Sequence, residues 1–280
     1  MDKVMIVGGY EFLSFHLSTR FLELGMIVHS IGFENRYDIF QEEKRLSLGR
    51  NSNLIEIPIA EWIQSGLSCE SDTLVILSLF DLFLKKDEEG MLSQLEVAIS
   101  ELELTNEFIP AEVVFLLPLQ NSEAGVRDTV VQIGEKLVNL LKEKDIPYHV
   151  ISLPTLYGPW QPIEFAFQQV LYNDLKNREN LQLSPQEWIY DAIFIDDAVN
   201  EIVDFINTGN LQSCTLKNKT DGQWIKCAEK LGINSNFYED TIRKDATNTN
   251  HLYREIEGKV NFEQGLIIQQ QHLLRVLSSV

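Results

Sequence analysis

Along the first half of the chain, short apolar runs alternate with longer stretches of helical period. Runs at 3–7, 26–31, 53–57, 73–79, 112–117 and 147–153 are predicted as strands. None alternates cleanly between apolar and polar positions, which is the pattern of strands covered on both faces. Between the first two runs Leu13, Leu17, Phe21 and Leu24 share one helical face, and Gly25 follows as a C-terminal cap. Val130, Ile133, Leu137 and Leu141 put an apolar face on a helix over 126–144. A third helix is predicted after Asp196-Asp197, read as its N-terminal cap; it carries Val199, Ile202, Val203 and Ile206 and stops at Gly209. Strands alternating with helices predict the α/β class, with a parallel sheet covered on both faces.

Past residue 154 the rhythm changes. Pro154, Pro159, Pro162 and Pro185 punctuate short mixed elements, 234–250 reads as loop, and Phe262 to Val280 reads as a closing helix. Residues 1–154 are therefore expected to form the main core. Residues 155–280 are expected to return late core elements at 190–208 and to add a small C-terminal α/β annex.

Composition sharpens this picture by exclusion. Hydrophobic residues make up 44% and charged residues 23%, enough apolar material for a sizeable core. Lys plus Arg number 23 against 42 Asp plus Glu, a net charge of −19. Such a field repels phosphate backbones and anionic lipid, so neither nucleic acid nor a membrane surface is expected as a partner. Any anionic ligand must be gripped by local donors against that background. Cys69, Cys214 and Cys227 lack metal-ligand spacing and read as reduced thiols of a cytoplasmic protein. His16, His29, His149, His251 and His272 are scattered, so no metal site is expected. The longest apolar run, 74–84, is interrupted by Asp81 and falls far short of the roughly 20 residues of a membrane span.

The candidate chemistry starts where the first strand meets the first helix, at Val7-Gly8-Gly9-Tyr10-Glu11-Phe12-Leu13-Ser14. This is the place of a dinucleotide fingerprint, Gly-x-x-Gly-x-x-Gly, whose glycines allow a tight turn and close backbone approach to a pyrophosphate. Gly8 keeps the first position, Glu11 takes the second and Ser14 the third. A carboxylate beside a diphosphate costs about 1 kcal/mol or more in repulsion. Glu11 either turns outward and leaves the amides of 12–14 open, or occupies the pocket and caps the helix in place of a phosphate. Gly8, Gly9, Glu11, Phe12 and Leu13 are the candidate cofactor contacts here. Gly32, near the end of the second strand, holds the place of the acidic residue that bonds the adenosine ribose, with Glu34 two residues on.

Further landmarks carry a resemblance. Val7-Gly8-Gly9 with His16-Leu17, Asp72-Thr-Leu-Val-Ile-Leu-Ser78-Leu79, Leu153-Pro154-Thr-Leu-Tyr157-Gly158-Pro159, Ile193-Phe194-Ile195-Asp196-Asp197-Ala198 and Phe262-Glu-Gln-Gly265-Leu266 follow one another in order. Together they resemble the extended short-chain dehydrogenase/reductase family, which includes NAD-dependent nucleotide-sugar epimerases and dehydratases. The resemblance spans nearly the whole chain and implies a Rossmann-type doubly wound parallel sheet, with residues 1–154 as its nucleotide-binding-like core. It implies a nucleotide or other small-molecule ligand, NAD or NADP as cofactor with Ser78 and Leu79 in its pocket, and Tyr157, Gly158, Pro159 and Tyr190 on the substrate side. It also implies a homodimer paired through helices that include the 126–144 segment.

The family's catalytic pair is missing. A Tyr-x-x-x-Lys on the helix after the fifth strand supplies its general base, the lysine lowering the tyrosine's pKa. Matching Glu135 to that helix puts the pair at Arg127 and Val131, and residues 115–145 contain no tyrosine. Arginine has no accessible neutral form and valine no ionisable group. Pro118-Leu119 replaces the usual serine or threonine pair, with Ser122 nearby, and Tyr172-x-x-x-Lys176 lies outside the expected helix. Tyr190 and Leu153 stand where the family places diphosphate-gripping arginines. Trp160, Trp188 and Trp224 are read as packing residues or pocket lining. Three functions are consistent with this sequence: a binding or regulatory protein without tyrosine-dependent redox catalysis, an active enzyme with a base relocated to Tyr157, Ser122 or Asp81, and an interaction scaffold with an empty nucleotide site.

Overall fold

The computed structural model describes residues 2–33, 39–83, 90–105, 108–119, 129–176, 181–184, 187–208, 213–238 and 252–279. Its strands are β1 (Lys3–Val7), β2 (Ile27–Gly32), β3 (Leu54–Pro58), β4 (Thr73–Ser78), β5 (Glu112–Pro118), β6 (Tyr148–Leu153), β7 (Thr155–Tyr157), β8 (Ala192–Phe194), β9 (Cys214–Asn218) and β10 (Tyr253–Ile256). Eight of them form one parallel sheet in the order β10-β9-β6-β5-β4-β1-β2-β3, and β7 pairs with β8. The six runs predicted as strands appear as β1 to β6, each shifted by no more than one residue at either end. The helices are α1 (Phe12–Glu23), α2 (Ile39–Leu48), α3 (Ile59–Gln64), α4 (Met91–Leu104), α5 (Thr129–Glu143), α6 (Ala166–Lys176), α7 (Ile195–Asn207), α8 (Gln223–Lys230) and α9 (Phe262–Ser279).

The chain divides into two compact units. The first comprises Met1–Leu117 and Arg127–Ile151, the second Pro118–Val126 and Ser152–Val280. In the first unit β1 lies between β2 and β4, in register Val7 with Ile31 and Val7 with Leu77. The three strands thus end level, and the turn after β1 emerges at their C-terminal edge, where open α/β sheets bind ligands. All six residues of β4 are buried, which explains its lack of alternation. Gly25 takes a left-handed φ of +80° just beyond α1 and donates to the carbonyl of Leu22, the expected helix stop. Outward positions of α4 and α5 include Glu96, Val97, Ser100, Glu101, Gln132, Glu135, Lys136 and Asn139, mostly polar or charged.

The second unit is organised around an aromatic core of Tyr157, Phe167, Phe194, Trp224 and Tyr238. Two glycines let its parts close up. Gly158 has φ +140°, and a Cβ there would lie 2.6 Å from the Ile195 side chain. A Cβ on Gly265 would lie 2.8 Å from the Tyr157 ring. Trp224 is fully buried and belongs to this core.

One expectation is corrected here. Asp196 and Asp197 do not cap α7; Phe194 is its cap residue, and both acids sit in the first turn, where they favour the helix dipole. Asp197 instead accepts from the backbone amides of Lys259 (3.1 Å) and Val260 (3.4 Å). Two charged acceptors in one turn cannot both be read from local spacing, because a loop far along the chain supplies the donors. Glu34, Ser122, Arg127, Pro185, Gly209 and nearly all of the predicted loop beyond 238 lie outside the described residues.

Candidate functional site

The site begins with the backbone of the β1–α1 turn. Gly8 turns the chain with φ +88°, and the amides of Gly8 and Gly9 donate to the carbonyl of Ile31 at 2.8 and 3.3 Å. Gly9 is flush against β2: a Cβ on it would lie 1.7 Å from Ser30 Oγ and 2.8 Å from Ser30 Cβ. No side chain fits there, so the glycine is required by packing as much as by any ligand. The amide of Glu11 closes the turn on the Gly8 carbonyl at 2.7 Å.

Helix α1 then opens with Glu11 at its cap position, and Glu11 makes no side-chain capping bond. The amides of a helix's first turn have no partner within the helix and attract anions. Here the anion is part of the chain. Asp81, at the end of a 3-10 turn (Leu79–Asp81) that follows β4, places Oδ1 2.7 Å from the Leu13 amide and Oδ2 3.0 Å from the Ser14 amide. Ser14 Oγ adds a third bond to Oδ2 at 2.7 Å. Asp81 is 6% exposed. Burial raises its carboxyl pKa, with nearby Glu11 adding to the rise, while the Leu13 and Ser14 donors oppose it.

Glu11 is buried as well, at 8% exposure, and its side chain folds over the glycine turn. A Cβ built on Gly8 would sit 3.4 Å from Glu11 Cγ, 3.4 Å from the Phe33 ring and 3.6 Å from Ser14 Oγ. Of the two orientations open to Glu11 in the sequence, the inward one is found. The capping role falls to Asp81.

The other side of the turn is pinned from α2 and β3. Lys44, buried despite its charge, donates to the Tyr10 carbonyl at 2.7 Å. The Tyr10 hydroxyl donates to Glu56, whose Oε1 also receives Arg45 Nε at 3.2 Å, and the Arg45 guanidinium lies 5.4 Å from the Tyr10 ring centre. Burial, with Glu56 next, pushes the Tyr10 phenol well up.

Of the remaining cofactor candidates, Ser78 is buried at the end of β4, one residue beyond Leu77, and its Oγ has no hydrogen-bond partner. Leu79 packs under α5, 3.3 Å from where a Cβ on Gly134 would lie. Gly32 ends β2, and no atom of the described residues lies within 4 Å of where a Cβ on it would be. Phe12 is 1% exposed, its ring edge-on to His16.

The substrate-side candidates lie within the second unit. Tyr157 is 3% exposed and meets the rings of Phe167 and Phe194 edge-on at 5.9 and 5.6 Å. Burial is the main cause that pushes its phenol far up, with Cys227 next, and the Cys227 thiol is itself pushed up to about 12 by burial. Gly158 and the half-buried Pro159 continue from it into the turn after β7. Tyr190 stacks at a tilt on Trp188, ring centres 4.8 Å apart. Tyr172 sits on α6 with Lys176 Nζ 6.0 Å from its ring, a local helix-surface contact. Val131 lies on α5.

Sequence reasoning weighed Asp81 only as a relocated base, and did not single out Lys44 or Arg45. The one signal for Asp81 was a carboxylate interrupting an otherwise apolar run just after a strand. Among the described residues no group of three or more His, Cys, Asp or Glu is placed to hold a metal ion. Among them, too, no helix is long and apolar enough to cross a membrane.

No protein-family model matches the sequence, and no curated protein matches it. Solved structures do. The UDP-glucuronic acid 4-epimerase of Bacillus cereus, in complex with a fluorinated UDP sugar and NAD, superposes with a TM-score of 0.68 at 15% identity, covering 98% of this chain and 99% of that one. The UDP-glucose 4-epimerase of Thermotoga maritima gives 0.63 at 14% identity over 98% and 99%. The dTDP-glucose 4,6-dehydratase of Bacillus anthracis, in complex with NAD, gives 0.65 at 12% identity over 98% and 97%. At such identities the likeness establishes the fold, the one shared by these epimerases and dehydratases.

Proposed function

We propose that this chain uses the epimerase and dehydratase fold as a binding and interaction scaffold, with its dinucleotide site closed and without tyrosine-dependent hydride transfer. The observation that carries this reading is the Asp81 carboxylate on the amides of Leu13 and Ser14, where a dinucleotide pyrophosphate would have to bind. A phosphate entering there would meet two buried carboxylates, Asp81 and Glu11. It would have to displace three hydrogen bonds to gain the same donors.

The catalytic side agrees. The tyrosine and lysine positions of the resembling family fall at Arg127 and Val131. Among the described alternatives, Tyr157 is sunk in an aromatic core with its phenol pushed up, so it is a poor base near neutral pH. Asp81 is fully engaged as a cap. The mostly polar outward positions of α4 and α5 provide little apolar seam for the homodimer that the resemblance implies.

Titration of the full-length protein with NAD, NADH, NADP and NADPH, by calorimetry and thermal shift, tests the reading. No heat and no stabilisation are expected from any of the four. Binding tighter than about 100 μM by one of them would overturn it; ligand at about 100 times its Kd adds roughly 2.7 kcal/mol, a shift that thermal melting detects easily.

A further inference from the structure

We infer that the first unit carries a ligand pocket beneath α3, away from the turn after β1, and that it takes a small uncharged heteroaromatic molecule whose ring nitrogen accepts from the Trp62 indole N–H.

The pocket is a cavity of about 390 Å³, within the size range of small-molecule sites. One wall is a single face of the sheet. Met5 of β1 pairs with His29 of β2, His29 pairs with Ile55, and Ile57 lies two residues further along β3. Alternation along each strand puts Met5, His29 and Ile57 on the same side. The other wall comes from α3 and the segment that leads into β4. Thr73, the first residue of β4, also lines the cavity and pairs with Lys3, the first of β1. The cavity therefore reaches the starts of these strands, whereas the glycine turn follows the end of β1.

Burial grades from floor to mouth. Met5, Trp62, Cys69 and Thr73 are 2–7% exposed, while the lining residues Glu61, Ser68 and Glu70 are exposed. The floor holds a thioether, an indole ring and a thiol, surfaces that favour an aromatic body. Trp62 also supplies the polar contact still to be made. Its Nε1 is buried and has no hydrogen-bond partner among the described residues. Indole nitrogen is a donor only, so what completes it must be an acceptor.

The charges at the pocket select against an anion. Burial lowers the pKa of the His29 imidazole, so the ring is neutral near pH 7 and offers one donor and one acceptor. Burial pushes the Cys69 thiol up to about 11, which keeps it protonated. Lys3 is engaged by Glu70. Glu61 and Glu70 at the mouth, on a chain with a net charge of −19, repel a carboxylate or phosphate. A neutral ring with an acceptor nitrogen, and an N–H for His29 or a mouth carboxylate, meets all of these conditions.

Benzimidazole, indole and benzoate serve as probes, titrated into the isotope-labelled full chain while NMR follows the indole N–H signals of its four tryptophans. Indole has a C–H in place of the acceptor nitrogen of benzimidazole, and benzoate carries the negative charge. The Trp62 signal is identified as the one missing from Trp62→Phe. It is expected to shift with benzimidazole half-maximally at roughly 1 mM, and with indole only at about tenfold higher concentration. Benzoate is expected to leave it in place, and the signals of Trp160, Trp188 and Trp224 should not move with any probe. Trp62→Phe, which keeps an aromatic ring but loses the donor, is expected to bind benzimidazole no better than indole. Should that variant not fold, the signal is assigned through the ring protons of Phe108, whose ring centre lies 6.4 Å from that of Trp62, and the wild-type titrations decide. A Trp62 signal unmoved by benzimidazole overturns the inference and leaves water as the occupant of the cavity. Equal responses to benzimidazole and indole overturn it as well, and so does benzoate binding as strong as that of benzimidazole.

Discussion

Two buried carboxylates, one in each unit, do the same physical job with different consequences. Asp81 caps α1 through the amides of Leu13 and Ser14 and the Ser14 hydroxyl. Glu187, which is fully buried, caps α6 through the Ala166 amide at 3.0 Å and accepts the Trp224 indole N–H, also at 3.0 Å. At Glu187 the carboxylate ties the start of α6 to Trp224 in the aromatic cluster. Around Asp81 lies the turn after β1, and on the reading proposed above the same cap excludes a ligand. Burial is the first cause of the raised pKa of both. Glu187 is pushed up to about 7, its two donors only partly offsetting the loss of water. Asp81 has three donors but also Glu11 beside it. A carboxylate on a helix start is therefore not by itself a functional mark; what it displaces decides.

The largest effect that would sharpen this contrast is expected from Glu187→Ala. It strands the Trp224 N–H and the Ala166 amide in a fully buried site, at a cost of about 3 kcal/mol or more. Asp81→Ala should cost less, since it also relieves the repulsion with Glu11. Urea denaturation of both variants measures this, and equal costs would erase the distinction between a core clasp and a displaced-ligand clasp.

Next comes pH. The folded-state pKa of Glu187 lies above its ordinary value of 4.5, at about 7, and that of Asp191 rises from 3.8 to about 6. The folded state thus binds these protons more tightly than the unfolded chain. The stability they contribute is full below about pH 4 and is lost as pH rises through 6 and 7. Melting temperature should fall between pH 5 and 8, and Glu187→Gln, though less stable at low pH, should show a flatter slope. The Glu187 contribution is on the order of 3 kcal/mol. A wild-type slope that Glu187→Gln leaves unchanged would remove Glu187 from the account.

The smallest effect concerns the frame around Asp81. Gly9→Ala should destabilise by about 2 kcal/mol through its clash with Ser30, and Gly9→Ala/Ser30→Gly should recover most of that. Recovery measured by thermal melting shows that the turn is shaped by packing against β2. A double variant as unstable as the single one would shift that role to Asp81.

Much of this was legible beforehand. The six buried runs, the capping glycine at 25 and the position of the β1–α1 turn follow from local pattern, because apolar periodicity and a left-handed glycine act over a few residues. The landmarks that resemble the short-chain family persist for local packing reasons too. Gly158 and Gly265 are where the aromatic core leaves no room for a Cβ, and Tyr157 is part of that core. That residues 115–145 contain no tyrosine was equally plain, since an absent residue type needs no structure to be noticed. Asp197 was misread as a helix cap because its partners, Lys259 and Val260, lie 62 and 63 residues away.

The sequence alone determined the α/β class, the order of its first six strands, the acidic field and the absence of tyrosine from residues 115–145, all properties of composition or short-range spacing. Only the tertiary structure decided what occupies the first amides of α1. Asp81 reaches Leu13 and Ser14 across 68 and 67 residues because β4 and β1 end level in the sheet. Which donor a buried carboxylate finds is set by strand register, and no local pattern carries that information.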